Sequence, residues 1–278
     1  MSFHRVGVEG VADIAYNLTC THCFVYKQTL LSESDGRTAA KGGAAMDRRL
    51  DLAMLLVLTF STGMVDAIGY LGFDKIFTAN MTGNVVILGM ALTGADDLPV
   101  LRPALALAFF MVGAAIGGRV LGQRGADWHH RTTVIFALVA LGCAGLAVYV
   151  GLVPNPEIGL AGTVFTSALS ALMGVQAAAA RRMKIADITT VVVTSTIVGL
   201  ASDSRLAGGD STNWVRRVLA VALILVGALA GAASLLINQW IGIAIVAVII
   251  AVAAFIGHRG MHRRTLAEAA TTPADARA

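Results

Sequence analysis

The chain has 278 residues, of which 56% are apolar and only 14% charged. A soluble domain is roughly one quarter charged, so this composition excludes a water-soluble globular fold and leaves the lipid bilayer as the expected surroundings. The formal charge of +4 comes from basic residues scattered at the ends of apolar stretches, a pattern that serves membrane topology and argues against a nucleic-acid partner.

Residues 1 to 45 hold no sustained apolar run and read as a flexible cytoplasmic tail. Met46, followed by two arginines and the first apolar stretch, reads as an alternative start of the chain. Cys20 and Cys23, with His22 between them and His4 upstream, form a single C-x-x-C. The second ligand pair of a structural zinc site is missing, so no metal is expected. From residue 46 to 258 the sequence reads as a membrane domain, with halves at 50 to 153 and 158 to 258, and residues 259 to 278 read as a cytoplasmic tail. Eight apolar stretches lie in it, at 52 to 72, 77 to 95, 103 to 122, 132 to 153, 158 to 180, 188 to 202, 215 to 237 and 240 to 257. Most reach the roughly 20 residues that cross a hydrocarbon core of about 30 Å, whereas the second and sixth are short and interrupted by polar side chains.

In the first stretch Thr62, Asp66 and Tyr70 follow at four-residue steps and share one helix face. A carboxylate at such depth costs roughly 2.5 to 3.5 kcal/mol on insertion scales and usually faces a cavity or a partner. Proton exchange with a solute path is the functional reading, and an ion pair with Arg181 or Arg182 the structural one. The second stretch begins "FTANMTGN", with Thr78, Asn80, Thr82 and Asn84 ahead of its apolar part. The sixth begins "TTVVVTST", ending in Thr194, Ser195 and Thr196. Either polar group lines a path, or it bonds between helices. Asp187, ahead of the sixth stretch, reads as a helix cap.

A repeat organises these pieces. "LRPALALAFFMVGAAIGG" (101 to 118) aligns without gaps on "VRRVLAVALILVGALAGA" (215 to 232), with eight identical pairs: Arg102/Arg216, Leu105/Leu219, Ala106/Ala220, Ala108/Ala222, Val112/Val226, Gly113/Gly227, Ala114/Ala228 and Gly117/Gly231. Asp66 in "GMVDA" falls on Gln176 in "GVQA", and Thr82 on Thr194. The glycines form G-x-x-x-G in each half, a spacing that lets helices approach closely. It suits packing between the halves, or a homo-oligomer through the Gly113/Gly117 or Gly227/Gly231 faces.

Loop charge decides whether the short stretches cross. If both turn back, one side holds Lys41, Arg48, Arg49, Arg119, Arg124, Arg131, Arg181, Arg182, Lys184, Arg205, Arg216, Arg217, Arg259, Arg263 and Arg264, and the other only Lys75 and Arg102. That bias follows the positive-inside rule and puts both termini in the cytoplasm. Three full spans per half also make the repeat an inverted one. The expected fold is therefore an all-α polytopic membrane bundle with six full spans, two short re-entrant or broken helices, and a 3+3 inverted repeat.

The blocks "TGMVDAIGYLGFDKIFTANMTGNVVILGMAL" (62 to 92) and "ALMGVQAAAARRMKIADITTVVVTSTIVGLASD" (171 to 203) resemble the YoaK family of bacterial inner-membrane proteins. The resemblance covers roughly residues 50 to 258. Positions that match its pattern are Asp66, Asn80, Thr82, Gly83, Asn84, Gly174, Gln176, Arg181, Arg182, Thr189, Thr190 and Thr194. Where the second block of the family has Thr-Gly-Thr, this chain has Thr194-Ser195-Thr196. The resemblance implies a multi-pass protein of the bacterial cytoplasmic membrane and brings no activity with it.

No H-E-x-x-H, G-x-S-x-G or phosphate-cradling glycine loop is present, so neither an enzyme nor a cofactor is expected. The expectation is a permease or channel for a small polar solute or anion, with Asp66, Asn80, Thr82, Asn84, Gln176, Thr194, Ser195 and Thr196 at its site. The alternative is a non-transporting scaffold that docks a partner protein.

Overall fold

The computed structural model describes residues 49–94, 98–122, 128–183, 193–211 and 213–271. The tail cysteines, Asp187, Thr189 and Thr190 lie outside the described residues. Among those described, all regular structure is helical. Six helices are long and apolar enough to cross a membrane: α1 (Arg49–Gly72), α3 (Leu101–Leu121), α4 (His130–Leu152), α5 (Gly159–Arg182), α7 (Trp214–Leu235) and α8, whose apolar span is Gln239–Leu266. Two shorter apolar helices, α2 (Met81–Leu92) and α6 (Val193–Ser202), interrupt the series.

Contacts at the helix ends show which face of the bundle each element reaches. Arg102, at the start of α3, pairs with Asp74 just beyond α1 at 3.4 Å. Its Nη2 also donates to the Glu157 and Gly159 carbonyls, each at 3.1 Å, where α5 begins. The end of α1 and the starts of α3 and α5 therefore share one face, and α2, between α1 and α3, does not cross. At the other face Arg131 Nη1, in the first turn of α4, donates to the Val120 carbonyl near the end of α3 at 2.9 Å.

Glycines set the two closest helix pairs. A methyl group added at Gly227 would overlap the Phe60 carbonyl oxygen, and one at Gly63 the Ile224 carbonyl oxygen, so α1 and α7 touch backbone to backbone. Gly231 lies against Met64 further along both chains, which makes the pair parallel. The same holds for α3 and α5: Gly113 faces the Ala171 carbonyl, Gly174 faces that of Phe110, and Gly117 faces Val175. These four G-x-x-x-G positions are buried inside the chain. Of the two readings of Gly113/Gly117 and Gly227/Gly231, packing between the halves is the one observed, and the reading of a homo-oligomer through these faces is corrected, because helices of the same chain already occupy both. Since α7 runs parallel to α1 while α5 runs opposite, α5 ends on the face where α7 begins, and α6 does not cross either.

The last pair is α4 with α8, packed along a core that includes Phe136, Val139, Cys143, Ile243, Val246 and Ile250. Trp128 stacks on Phe136 with ring centroids 5.3 Å apart and fills the space above Gly257. Beyond residue 258, where hydropathy alone ends the membrane domain, α8 continues as a helix to Thr271. Arg264 on this extension meets Asp51 of α1 at 3.0 Å, and the Asp51 side chain is only 6% exposed. Removing one member of a buried ion pair costs roughly 3 to 5 kcal/mol. A chain ending at residue 258 is thus expected to melt well below one ending at Thr271, as thermal denaturation in detergent would show; equal melting would mean that the pair carries no stability. Reporter fusions give a second check. Insertions near Gly94 and near Asn155 should report the same side of the membrane, and one near Ser204 the opposite side.

Candidate functional site

The chain reverses immediately after α1. Lys75 N–H closes on the Tyr70 carbonyl at 3.1 Å, and Asp74 and Lys75 take left-handed backbone angles (φ 66° and 57°), which cost non-glycine residues roughly 1 to 2 kcal/mol each. Residues 76 to 80 then run back beside α1. Gly69 makes room for them: a methyl group there would come within 2.6 Å of the Ile76 carbonyl oxygen. This backbone is not helical, and at membrane depth every such N–H needs a protein partner.

Two side chains supply those partners. Asp66 Oδ1 accepts from the backbone N–H groups of Thr78, Ala79 and Asn80 at 3.0, 2.7 and 3.2 Å. Asn84 brackets Phe77, its Oδ1 accepting from the Phe77 N–H at 2.9 Å and its Nδ2 donating to the Phe77 carbonyl at 2.6 Å. Asn80 then caps α2, its Oδ1 accepting from Gly83 N–H at 3.2 Å. Gly83 is needed because the Phe77 ring lies 2.6 Å from where a Cβ would be. The helix α2 therefore starts about six residues deep, level with Asp66, which places a carboxylate at its positive end.

The far wall comes from α6 and α7. Arg217 Nη1, near the start of α7, donates to the Gly199 carbonyl of α6 and to Asp203 Oδ2, each at 2.6 Å. The guanidinium ties down the C-terminal turn of α6 and holds the Asp203 carboxyl below the usual carboxylate range. With α6 fixed at that end, its other end, at Val193 and Thr194, faces the start of α2 across a cleft of about 830 Å³.

Thr62, Asp66 and Tyr70 all line this cleft, as their shared helix face requires, and Asn80, Thr82 and Thr194 join them. Gln176 does not. It is buried behind Thr62, with Nε2 3.4 Å from Thr62 Oγ1 and Oε1 without a partner. Asn84 is 1% exposed and serves the Phe77 backbone instead of the cleft. Ser195 is exposed and Thr196 buried, and neither is among the lining residues. The alternative reading of an ion pair between Asp66 and Arg181 or Arg182 does not hold: among the described residues Asp66 meets the three N–H groups, and the two arginines end α5 at the opposite face. Sequence reasoning missed Phe77, Ile224, Leu225 and Leu229, since a wall of plain apolar residues on α7 carries no mark that separates it from a lipid-facing surface.

The profile of the family described as "Protein of unknown function (DUF1275)" matches residues 54–256. The chain belongs to this family. It is also 34% identical over 154 residues to the UPF0700 transmembrane protein YoaK of Bacillus subtilis (strain 168), an alignment covering 54% of this chain and 65% of that relative, a little under two thirds of its length. No solved structure matches the chain. The matched span includes all six long helices in large part and every cleft residue.

Stability should separate the two roles of Asp66. Asp66→Ala leaves three N–H groups without an acceptor, at roughly 1 to 3 kcal/mol for each unsatisfied buried group, whereas Asp66→Asn keeps an oxygen in place and should melt closer to the parent. Asn84→Leu orphans both backbone groups of Phe77 and should cost on the order of 2 kcal/mol or more. Melting temperatures of the three variants in detergent test this order; an Asn84→Leu protein as stable as the parent would remove the bracing role.

Proposed function

We propose that the chain is a permease or channel of the bacterial cytoplasmic membrane that moves a small polar solute through the cleft at Asp66. The observation that carries the reading is a carboxylate without a basic partner among the described residues, facing about 830 Å³ of space inside a bundle of membrane-spanning helices. Intramembrane carboxylates usually mark solute or proton paths. Under the positive-inside rule, the basic residues at the start of α1, at the ends of α3, α5 and α8 and at the start of α7 support a cytoplasmic side that holds both termini.

The crossed glycine contacts support the same reading through an inverted repeat. Gly63 stands to Ile224 and Ala228 as Gly174 stands to Phe110 and Ala114, and Gly227 stands to Phe60 as Gly113 stands to Ala171. Each half thus supplies one partner to each close pair, the crossed exchange that an inverted repeat requires. In such a repeat the short helices α2 and α6 hold equivalent places, and Thr82 and Thr194 both line the cleft. Transporters of this architecture place solutes where two such broken helices meet and change access by rocking one repeat against the other.

Accessibility tests the reading directly. A cysteine introduced as Thr194→Cys, in vesicles of known orientation, should react with a membrane-impermeant thiol reagent added from either side in turn. Failure from both sides would leave the cleft a dry packing defect and favour the scaffold reading.

A further inference from the structure

Asp66 is the one acidic or basic side chain among the described residues that line the cleft; no Lys, Arg or His joins it. The starting end of α2 would otherwise attract an anion, but Asp66 Oδ1 already occupies it through Thr78, Ala79 and Asn80. An incoming anion would therefore meet a carboxylate at a helix end whose donors are committed. A cation would meet the opposite situation, because all three hydrogen bonds fall on Oδ1 and leave Oδ2 without a partner among the described residues.

Two further features narrow the class. Tyr70 and Phe77 lie beside Asp66 on the cleft wall, stacked with ring centroids 4.9 Å apart, and aromatic faces attract cations within about 6 Å. Further out the walls are Val86, Leu225 and Leu229, which offer a small hydrated ion no replacement for its water. A cleft of about 830 Å³ instead falls within the roughly 300 to 1,000 Å³ that holds a drug-sized organic molecule.

We infer that the cleft takes an organic monocation, with an ammonium or amidinium head at Asp66 Oδ2 beside Tyr70 and an apolar body between α2 and α7. The inference rests on the cleft being a solute site, and it replaces the expectation of an anionic solute. The same head could belong to a free solute or to an amine-bearing lipid headgroup.

The test uses the full chain with Cys20→Ser, Cys23→Ser and Thr82→Cys, in discs of phosphatidylglycerol, which bears no amine; the remaining Cys143 is buried. Labelling of the new thiol by a water-soluble reagent is timed in the presence of benzyltrimethylammonium, benzyl alcohol or benzenesulfonate, which share a ring and differ in charge. The ammonium compound should slow labelling and the other two should not. Adding Asp66→Asn should raise the concentration for half protection by roughly tenfold to a hundredfold, the loss of one charge-assisted contact. Tyr70→Leu, which touches none of the backbone bonds, should raise it severalfold and stands in if Asp66→Asn does not fold. Equal protection by the alcohol or the sulfonate overturns the cation assignment while leaving a solute site. So does a thiol that is labelled but protected by nothing, or protection that neither variant weakens. A thiol that no reagent reaches overturns the solute site itself, and the cation with it. Protection by phosphatidylethanolamine discs alone would support the same head on a lipid.

Discussion

One carboxylate oxygen organises the middle of this protein. By accepting three successive backbone N–H groups, Asp66 Oδ1 lets a non-helical segment turn back into the bundle, where lipid alone would force the chain to remain a helix. Asn84 completes the arrangement by pairing with both polar groups of Phe77. Without these bonds α2 would have no buried starting point, and the cleft would lose the wall that carries Thr82 and Val86. The charge set within an apolar helix is thus first a structural acceptor, and its second oxygen is what remains for chemistry.

Around that centre the bundle is held by close backbone contacts rather than by large side chains. The pairs α1 with α7 and α3 with α5 approach through Gly63, Gly227 and Gly231, and through Gly113, Gly117 and Gly174. In lipid no hydrophobic drive separates helix from solvent, so dispersion and shape at such seams carry much of the association. The third pair, α4 with α8, works differently, with Trp128, Phe136 and a run of branched side chains filling the gap. The α1–α7 seam borders the cleft through Gly63, Ile224 and Ala228, while among the described residues neither α4 nor α8 lines it.

Much of this could be read from the residues. Run length and loop charge distinguished six crossing helices from two that return, because both are properties of the chain itself. The four-residue spacing of Thr62, Asp66 and Tyr70 indicated one face, and that face lines the cleft. What could not be read was the partner of each polar group. Asn84 looked like a cleft residue because it sits within "NMTGN", yet its amide turns to a carbonyl seven residues earlier, a choice made by the path of the returning segment. Gln176 likewise aligns with Asp66 but is closed off behind Thr62. The extension of α8 was hidden for another reason: many of its residues are polar, and its place in the fold comes from partners far back in the chain, Arg264 on Asp51 and Gly260 against Leu50.

The crossed pairing of helices has a consequence for how the molecule is made. When α1 leaves the ribosome it carries Thr59, Ser61, Thr62 and Asp66 into the membrane, while the helix that covers its glycine seam lies roughly 165 residues downstream. At synthesis rates of about 5 to 20 residues per second that is on the order of ten seconds of exposure. During that interval the internal bonds to Thr78, Ala79 and Asn80, which need only another fourteen residues of chain, are the means at hand for hiding the carboxylate from lipid. The returning segment then acts as a built-in companion for the first helix, sheltering it until the second half of the nascent polypeptide arrives.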